Sequence, residues 1–230
     1  MNKITKNFFH LNILLITCCI LCLICYDFIG GLWLKGITSS WFVLLGAVNL
    51  IYAKKMALKM SHFLLLMQLS LFLGLCGDVL LGIQFIAGVF AFGLGHAFYL
   101  IAFYTLEKFC IKDIFISICI ACISVFIIVG TPFIQVENPF LEKILLVYAV
   151  IISCMLGKAI SNVFTGKTLY RRLILLGSIL FWFSDVILVF EIFATSNRIT
   201  WILCSYTYWP AQMILAFSIF HYINEQCQEI

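Results

Sequence analysis

The chain has 230 residues, of which 64% are hydrophobic and only 10% charged, with a formal net charge of +4. A soluble globular chain is roughly 25% charged, so this composition excludes a soluble domain and points to an integral membrane protein. The basic residues sit in short clusters between apolar runs, which excludes a nucleic-acid-binding footprint.

A membrane-spanning helix needs about 20 mostly apolar residues. Eight runs satisfy this, near 8–33, 37–53, 61–83, 86–106, 112–130, 140–160, 172–193 and 199–223. Lys3 and Lys6 followed by an apolar run resemble a signal peptide. That run continues to about Leu34, longer than a signal core of roughly 7–15 residues, so it is read as a span. Leu23 and Ile24 before Cys25 argue against a lipoprotein cleavage site. The connections are short, so the expected fold is an all-α bundle of eight transmembrane helices in one domain, residues 1–230. Eleven cysteines, an odd count lying mostly within apolar runs, give no disulfide framework.

Lys and Arg placement sets orientation. With the N-terminus inside, Lys3, Lys6, Lys54, Lys55, Lys59, Lys108, Lys112, Lys158, Lys167, Arg171 and Arg172 face the cytoplasm. Lys35, Lys143 and Arg198 face outward, so both termini are expected to be cytoplasmic. In a bacterium the expected location is the plasma (inner) membrane.

Two apolar runs each hold one carboxylate, in Gly77-Asp78-Val79-Leu80-Leu81 and Ser184-Asp185-Val186-Ile187-Leu188. A charge at membrane depth costs several kcal/mol and marks a functional site by default. Sliding the chain by 107 positions lays Asp78 on Asp185 and Tyr99 on Tyr206, the pattern of two four-helix halves of like orientation. At about 1.5 Å per residue, Asp78 falls roughly 8–9 Å and Asp185 roughly 12 Å below the outer ends of their spans. His96, Tyr206 and Tyr208 fall at about 10–15 Å.

Gly88, Phe92, His96, Tyr99 and Phe103 share one helix face, as do Ser178, Phe181, Trp182, Asp185 and Val189. Ser70, Gly74 and Gly77 form a small-residue stripe that admits a neighbouring helix. The expected site is an aromatic pocket with two acids, open toward the outer leaflet. Gly77, Phe92, Phe103, Phe181, Trp182, Ser184 and Tyr206 are its expected lining. For a lone Asp, a helix-tying hydrogen bond is the competing reading, and for the aromatic stripe it is ordinary packing. Cys18, Cys22 and Cys25 share a face but read as small hydrophobes. A zinc site needs about three or four converging ligands, and Asp78, Asp185 and His96 could supply three.

The words GDVLL at 77–81 and GVFAFGLGHAFYL at 88–100, with its Phe-Gly-x-x-His-x-x-Tyr core, resemble the YhhN family of membrane proteins. So do VYAVIISCMLGKA at 147–159, GSILFWFSDVIL at 177–188, and Tyr208 with Ala211-Gln212. They run in family order across most of residues 70–215. The resemblance implies a lysoplasmalogenase-like hydrolase acting on the vinyl ether bond of a lysophospholipid. Its products would be a fatty aldehyde and a glycerophospho-alcohol.

Such chemistry suits paired carboxylates. Protonation of the β-carbon gives an oxocarbenium ion, water adds at the α-carbon, and the hemiacetal collapses. Two acids in a poorly solvated site divide these tasks, and glycoside hydrolysis meets a similar cation with two carboxylates. Asp78 and Asp185 are therefore the expected acid/base pair, with neither assigned as the acid. His96 and Tyr208 would orient water or the leaving oxygen, and Tyr99 and Gln212 would support them. No cofactor is required. The expected partners are the lysophospholipid and the bilayer; short loops argue against a large peripheral partner and leave a homodimer open. Competing readings are a proton-coupled transporter, a metal-dependent lipid amidase or esterase, and a non-catalytic lipid-binding protein.

Overall fold

The computed structural model describes residues 3–194 and 196–228. Within them lie eight α-helices: α1 (Lys3–Ile29), α2 (Leu32–Lys55), α3 (His62–Leu81), α4 (Phe85–Leu106), α5 (Ile111–Gly130), α6 (Pro139–Thr165), α7 (Leu169–Phe193) and α8 (Arg198–Gln226). The first seven are long and apolar enough to cross a membrane. The chain is an all-α, multi-pass membrane bundle.

α8 departs from the expectation of eight comparably apolar spans. It is the longest helix, at 29 residues, yet it carries Ser205, Tyr208, Gln212 and Ser218 and falls outside the apolar criterion that the others meet. The reason lies in its position. It packs against α1, α2, α3 and α7, and all four of those polar residues are buried. Polar groups enclosed by other helices need no hydrocarbon-compatible surface.

Helix starts follow local chemistry. Asn138 caps α6, accepting from the Phe140 and Leu141 amides, with Pro139 in the first turn. Asn197 caps α8 through the Ile199 and Thr200 amides. The break between α1 and α2 falls at Gly30-Gly31, four residues earlier than hydropathy predicts. Both glycines have positive φ, 70° and 92°, a conformation that costs glycine little. Leu32-Trp33-Leu34 keeps the stretch apolar, so composition hides the break. One consequence is that Lys35 lies inside the first turn of α2 rather than in a loop.

Six helices close a ring through the contacts α2–α3, α3–α4, α4–α6, α6–α7, α7–α8 and α8–α2. α1 packs outside on α2 and α8, and α5 outside on α6. The two halves mirror one another in connectivity, because each fourth helix packs on the second helix of the other half (α8 on α2, α4 on α6).

Small residues and buried amides bind the ring. A Cβ at Gly88 would come 2.6 Å from the Leu81 backbone nitrogen, and one at Gly77 would come 2.6 Å from the Phe92 ring. Asn12 and Asn49 exchange two 2.9 Å bonds, and Asn49 also donates to the Ala216 carbonyl, joining α1, α2 and α8. Gly88→Ala meets backbone rather than a movable side chain. We expect it to destabilise the bundle by about 1–3 kcal/mol, the cost of overpacking. Thermal unfolding in detergent checks this, with Gly93→Ala as control because its nearest neighbour would be at 3.5 Å.

Candidate active site

The site occupies the end of the ring where α1, α3 and α7 finish and α2 and α8 begin. Asp78 lies three residues before the end of α3, closer to the surface than the sequence suggests, because α3 ends at Leu81. It is nonetheless 2% exposed. Ser39 of α2 and Tyr208 of α8 both donate to its Oδ2, at 2.5 and 2.6 Å. Lys35 Nζ stands 3.4 Å from its Oδ1. Trp209 Nε1 donates to Ser39 Oγ at 3.1 Å and so fixes the serine rotor.

Behind Tyr208 runs a further set of bonds. Tyr99 donates to Gln212 Oε1 at 2.9 Å, and Gln212 Nε2 reaches the Tyr208 oxygen at 3.5 Å. Gln212 fits because Gly74 faces it: a Cβ there would come 2.5 Å from Nε2. The small-residue stripe on α3 therefore serves the approach of α8.

Asp185 of α7 has a different set of neighbours. Tyr148 of α6 donates to its Oδ2 at 2.5 Å, and His96 Nε2 stands 3.3 Å from the same oxygen and 2.8 Å from the Tyr148 hydroxyl. His96 Nδ1 faces Met155 Sδ at 3.4 Å. A thioether only accepts, so Nδ1 carries a hydrogen. Each acid is thus held by the second helix of its own half and the fourth helix of the other, α2 and α8 for Asp78, α6 and α4 for Asp185.

Both carboxylates line one cavity of about 110 Å³, together with Lys35, Glu191, Phe92 and Trp209. A second cavity of about 60 Å³, among α4, α5, α6 and α7, shares Leu81, Phe92, Asp185 and Leu188 with the first. Its walls are otherwise almost wholly apolar, with Trp182, Leu145 and Ile152 among them. Asp185 stands where the two meet. Phe181 packs against His96 and Tyr208, with ring centroids 4.5 and 5.3 Å apart, and so fills the space between the two clusters.

Most of the expected residues converge here. Phe92 lines both cavities, Ser184 lines the first and Trp182 the second, while Gly77 backs the Phe92 ring. Tyr99 and Gln212 reach Asp78 through Tyr208. Two expectations need correcting. Phe103 is fully buried against Tyr99, about two turns deeper than His96, and lines neither cavity. Tyr206 is 38% exposed and turns toward Asp27, because two positions on a helix is a rotation of about 200° and Tyr208 takes the inward face. The repeat therefore relates the two acids but does not relate Tyr99 to Tyr206.

The sequence reading passed over Lys35, Ser39 and Tyr148. Lys35 and Ser39 are four apart, on one face of α2, which is the signal that could have paired them. The zinc triad of Asp78, Asp185 and His96 does not assemble: among the described residues no three His, Cys, Asp or Glu side chains come together as a metal site.

A family model matches residues 37–219, most of the chain, and is that of the YhhN family. The chain belongs to the YhhN family. This family is associated with lysoplasmalogenase-like function. No curated protein and no solved structure matches the chain. The matched residues include every side chain named around the two carboxylates except Lys35, which lies just before them.

Proposed function

We propose that this YhhN-family protein is a membrane-embedded hydrolase that cleaves the vinyl ether bond of lysoplasmalogen-type lysophospholipids. The observation that carries this reading is Asp185 at the junction of a polar cavity shared with Asp78 and an apolar cavity continuing among α4–α7. A single-chain lipid has that polarity, with its reacting bond at the boundary between head and chain.

The surroundings of the two acids support a division of labour. Asp78 faces two hydroxyl donors and an ammonium, all complementary to a carboxylate. Asp185 shares a tight triangle with Tyr148 and Nε2 of His96, a setting for a carboxylic acid that gives up and regains a proton. In this scheme Asp185 protonates the β-carbon of the alkenyl group, and the oxygen-bearing α-carbon becomes cationic. Asp78 offsets that charge and takes a proton from the water that adds there. The hemiacetal then collapses, its hydroxyl proton leaving as the C–O bond to the glyceryl oxygen breaks. That oxygen takes up a proton, giving aldehyde and glycerophospho-alcohol, with one water consumed.

The deciding experiment is aldehyde release from an alkenyl lysophospholipid by purified protein in detergent, with the acyl lysophospholipid as control. Release from the alkenyl lipid alone supports the reading. Release of fatty acid from the acyl lipid instead, or turnover of neither with coupled ion flux in liposomes, overturns it. Tyr148→Phe adds a finer check. It removes the hydroxyl that positions Asp185 and keeps the ring that lines the apolar cavity. We expect kcat to fall about tenfold to a hundredfold with KM unchanged.

A further inference from the structure

The charges lining the polar cavity are unevenly distributed. Asp78, Asp185 and Glu191 bring carboxylates, and Lys35 is the one cation in the lining among the described residues. Three other cations of the fold are spoken for elsewhere. Lys158 is buried against Asp113, Arg171 pairs with Glu107 at 2.7 Å, and Arg198 pairs with Asp27. Lys35 differs in lining the cavity: its side chain is 20% exposed, and its ion pair with Asp78 at 3.4 Å engages only part of an ammonium that carries three donors.

Its placement follows from the glycine turn. Gly30 and Gly31 reverse the chain without helix, so α2 starts at Leu32 and its first turn presents Lys35 at the cavity. A cation in the outer end of a span is also against the prevailing charge bias of this chain, in which eleven of fourteen Lys and Arg lie at the other side. A counter-ion for Asp78 alone would explain the contact but not the free donors facing the cavity.

We infer that Lys35 binds the phosphate of a lysolipid headgroup and sets the preference for phosphorylated over neutral single-chain lipids. The inference rests on the hydrolase reading given above, since in a lysophospholipid only the glycerol backbone separates the vinyl ether oxygen from the phosphate. A phosphate on Lys35 therefore leaves the ether beside Asp78 and the chain directed past Asp185 into the apolar cavity. Without the ammonium, the charges left in the described lining beside Asp78 are all carboxylates. Glu191, which accepts from Ser196 and Thr200 at the same mouth, supplies the opposite sign for the cationic end of a choline headgroup.

The test is independent of turnover. It uses saturated 1-O-alkyl analogues, which lack the vinyl group and are not cleaved. Binding of 1-O-alkylglycerophosphocholine and of 1-O-alkylglycerol is followed by tryptophan fluorescence in neutral detergent, because Trp201 and Trp209 line the cavity. Wild-type protein is expected to bind the phosphorylated lipid roughly tenfold or more tightly than the neutral one, the worth of a charge-assisted hydrogen bond. Lys35→Met should remove that difference while leaving alkylglycerol binding unchanged, which also reports that the variant is folded, and Lys35→Arg should restore it. A preference that survives Lys35→Met, or its absence in the wild type, overturns the inference. Inorganic phosphate is the second arm. If it binds alone as tightly as the lysolipid and depends equally on Lys35, the residue serves a free anion and the headgroup assignment is overturned. Failure of aldehyde release with this binding pattern intact would sink the hydrolase reading and leave the phosphate subsite standing.

Discussion

Asp78→Asn and Asp185→Asn are each expected to lower the rate of vinyl ether hydrolysis by about 10²- to 10⁴-fold, the range attributed to a positioned acid or base. The two should not behave alike in stability. In Asp185→Asn, the amide oxygen can take the place of Oδ2 and keep the Tyr148 bond, and its NH₂ replaces Oδ1, which meets no ammonium. In Asp78→Asn, the amide oxygen can still accept from Ser39 and Tyr208, both of which point at Oδ2. Its NH₂ then stands where Oδ1 met the Lys35 ammonium, donor against donor. Asp78→Asn is therefore expected to unfold at a lower temperature than Asp185→Asn, and its activity must be normalised to folded protein. Full activity in either folded variant, measured as aldehyde released per molecule, would remove that residue from the chemistry.

The largest effect on stability is expected far from the carboxylates. Lys158 is 1% exposed and lies in the interior at the opposite end of the bundle. Its ammonium donates to the Lys108 carbonyl at 2.9 Å and to Asp113 Oδ2 at 3.0 Å, and sits 4.5 Å from the Tyr104 ring centroid. This ties α6 to α5 and to the turn after α4. Removing one member of a buried pair leaves the other charge uncompensated, at a cost of about 3–5 kcal/mol, whereas neutralising both can be nearly free. Lys158→Met should accordingly lower the unfolding midpoint sharply. Lys158→Met combined with Asp113→Asn should recover most of the loss, since Asn can still accept from the Cys110 amide as Asp113 does at 2.9 Å. Specific activity of the folded fraction should not change. If the double variant is no better than the single, the pair is not what holds these helices together.

The helices were legible in the sequence because hydrophobic runs of this length have few alternatives in a membrane. The two acids and His96 were legible because polar groups at such depth are costly and so conspicuous. Lys35 was not, because a lysine near a span end reads as a marker of orientation. Only the exact place of the Gly30-Gly31 break shows that it belongs to a helix and faces a cavity. Tyr148 was hidden by its type, since a tyrosine in an apolar run reads as packing, and its hydroxyl gains meaning only when α6 is set against α7. Phe103 shares the face of His96 but not its depth, and helical periodicity reports faces better than heights. Tyr206 and Tyr208 both reach the right depth, and nothing in periodicity alone says which turns inward. The ring order, with each half lending its fourth helix to the other, is a long-range pairing that no local pattern encodes.

That exchange bears on how the protein is made. Asp78 enters the bilayer with the third helix, but Tyr208, which donates to it, is 130 residues further along the chain. At roughly 5–20 residues per second of synthesis, the first carboxylate is without that partner for on the order of ten seconds. During that interval Ser39 and Lys35, both already synthesised on the preceding helix, are the groups at hand to shelter it. The second carboxylate has no such wait, because His96 and Tyr148 both precede it on the ribosome. Nascent chains halted before the last helix should therefore hold Asp78 loosely and Asp185 firmly, and the vulnerable stage of biogenesis is the one just before the eighth helix inserts.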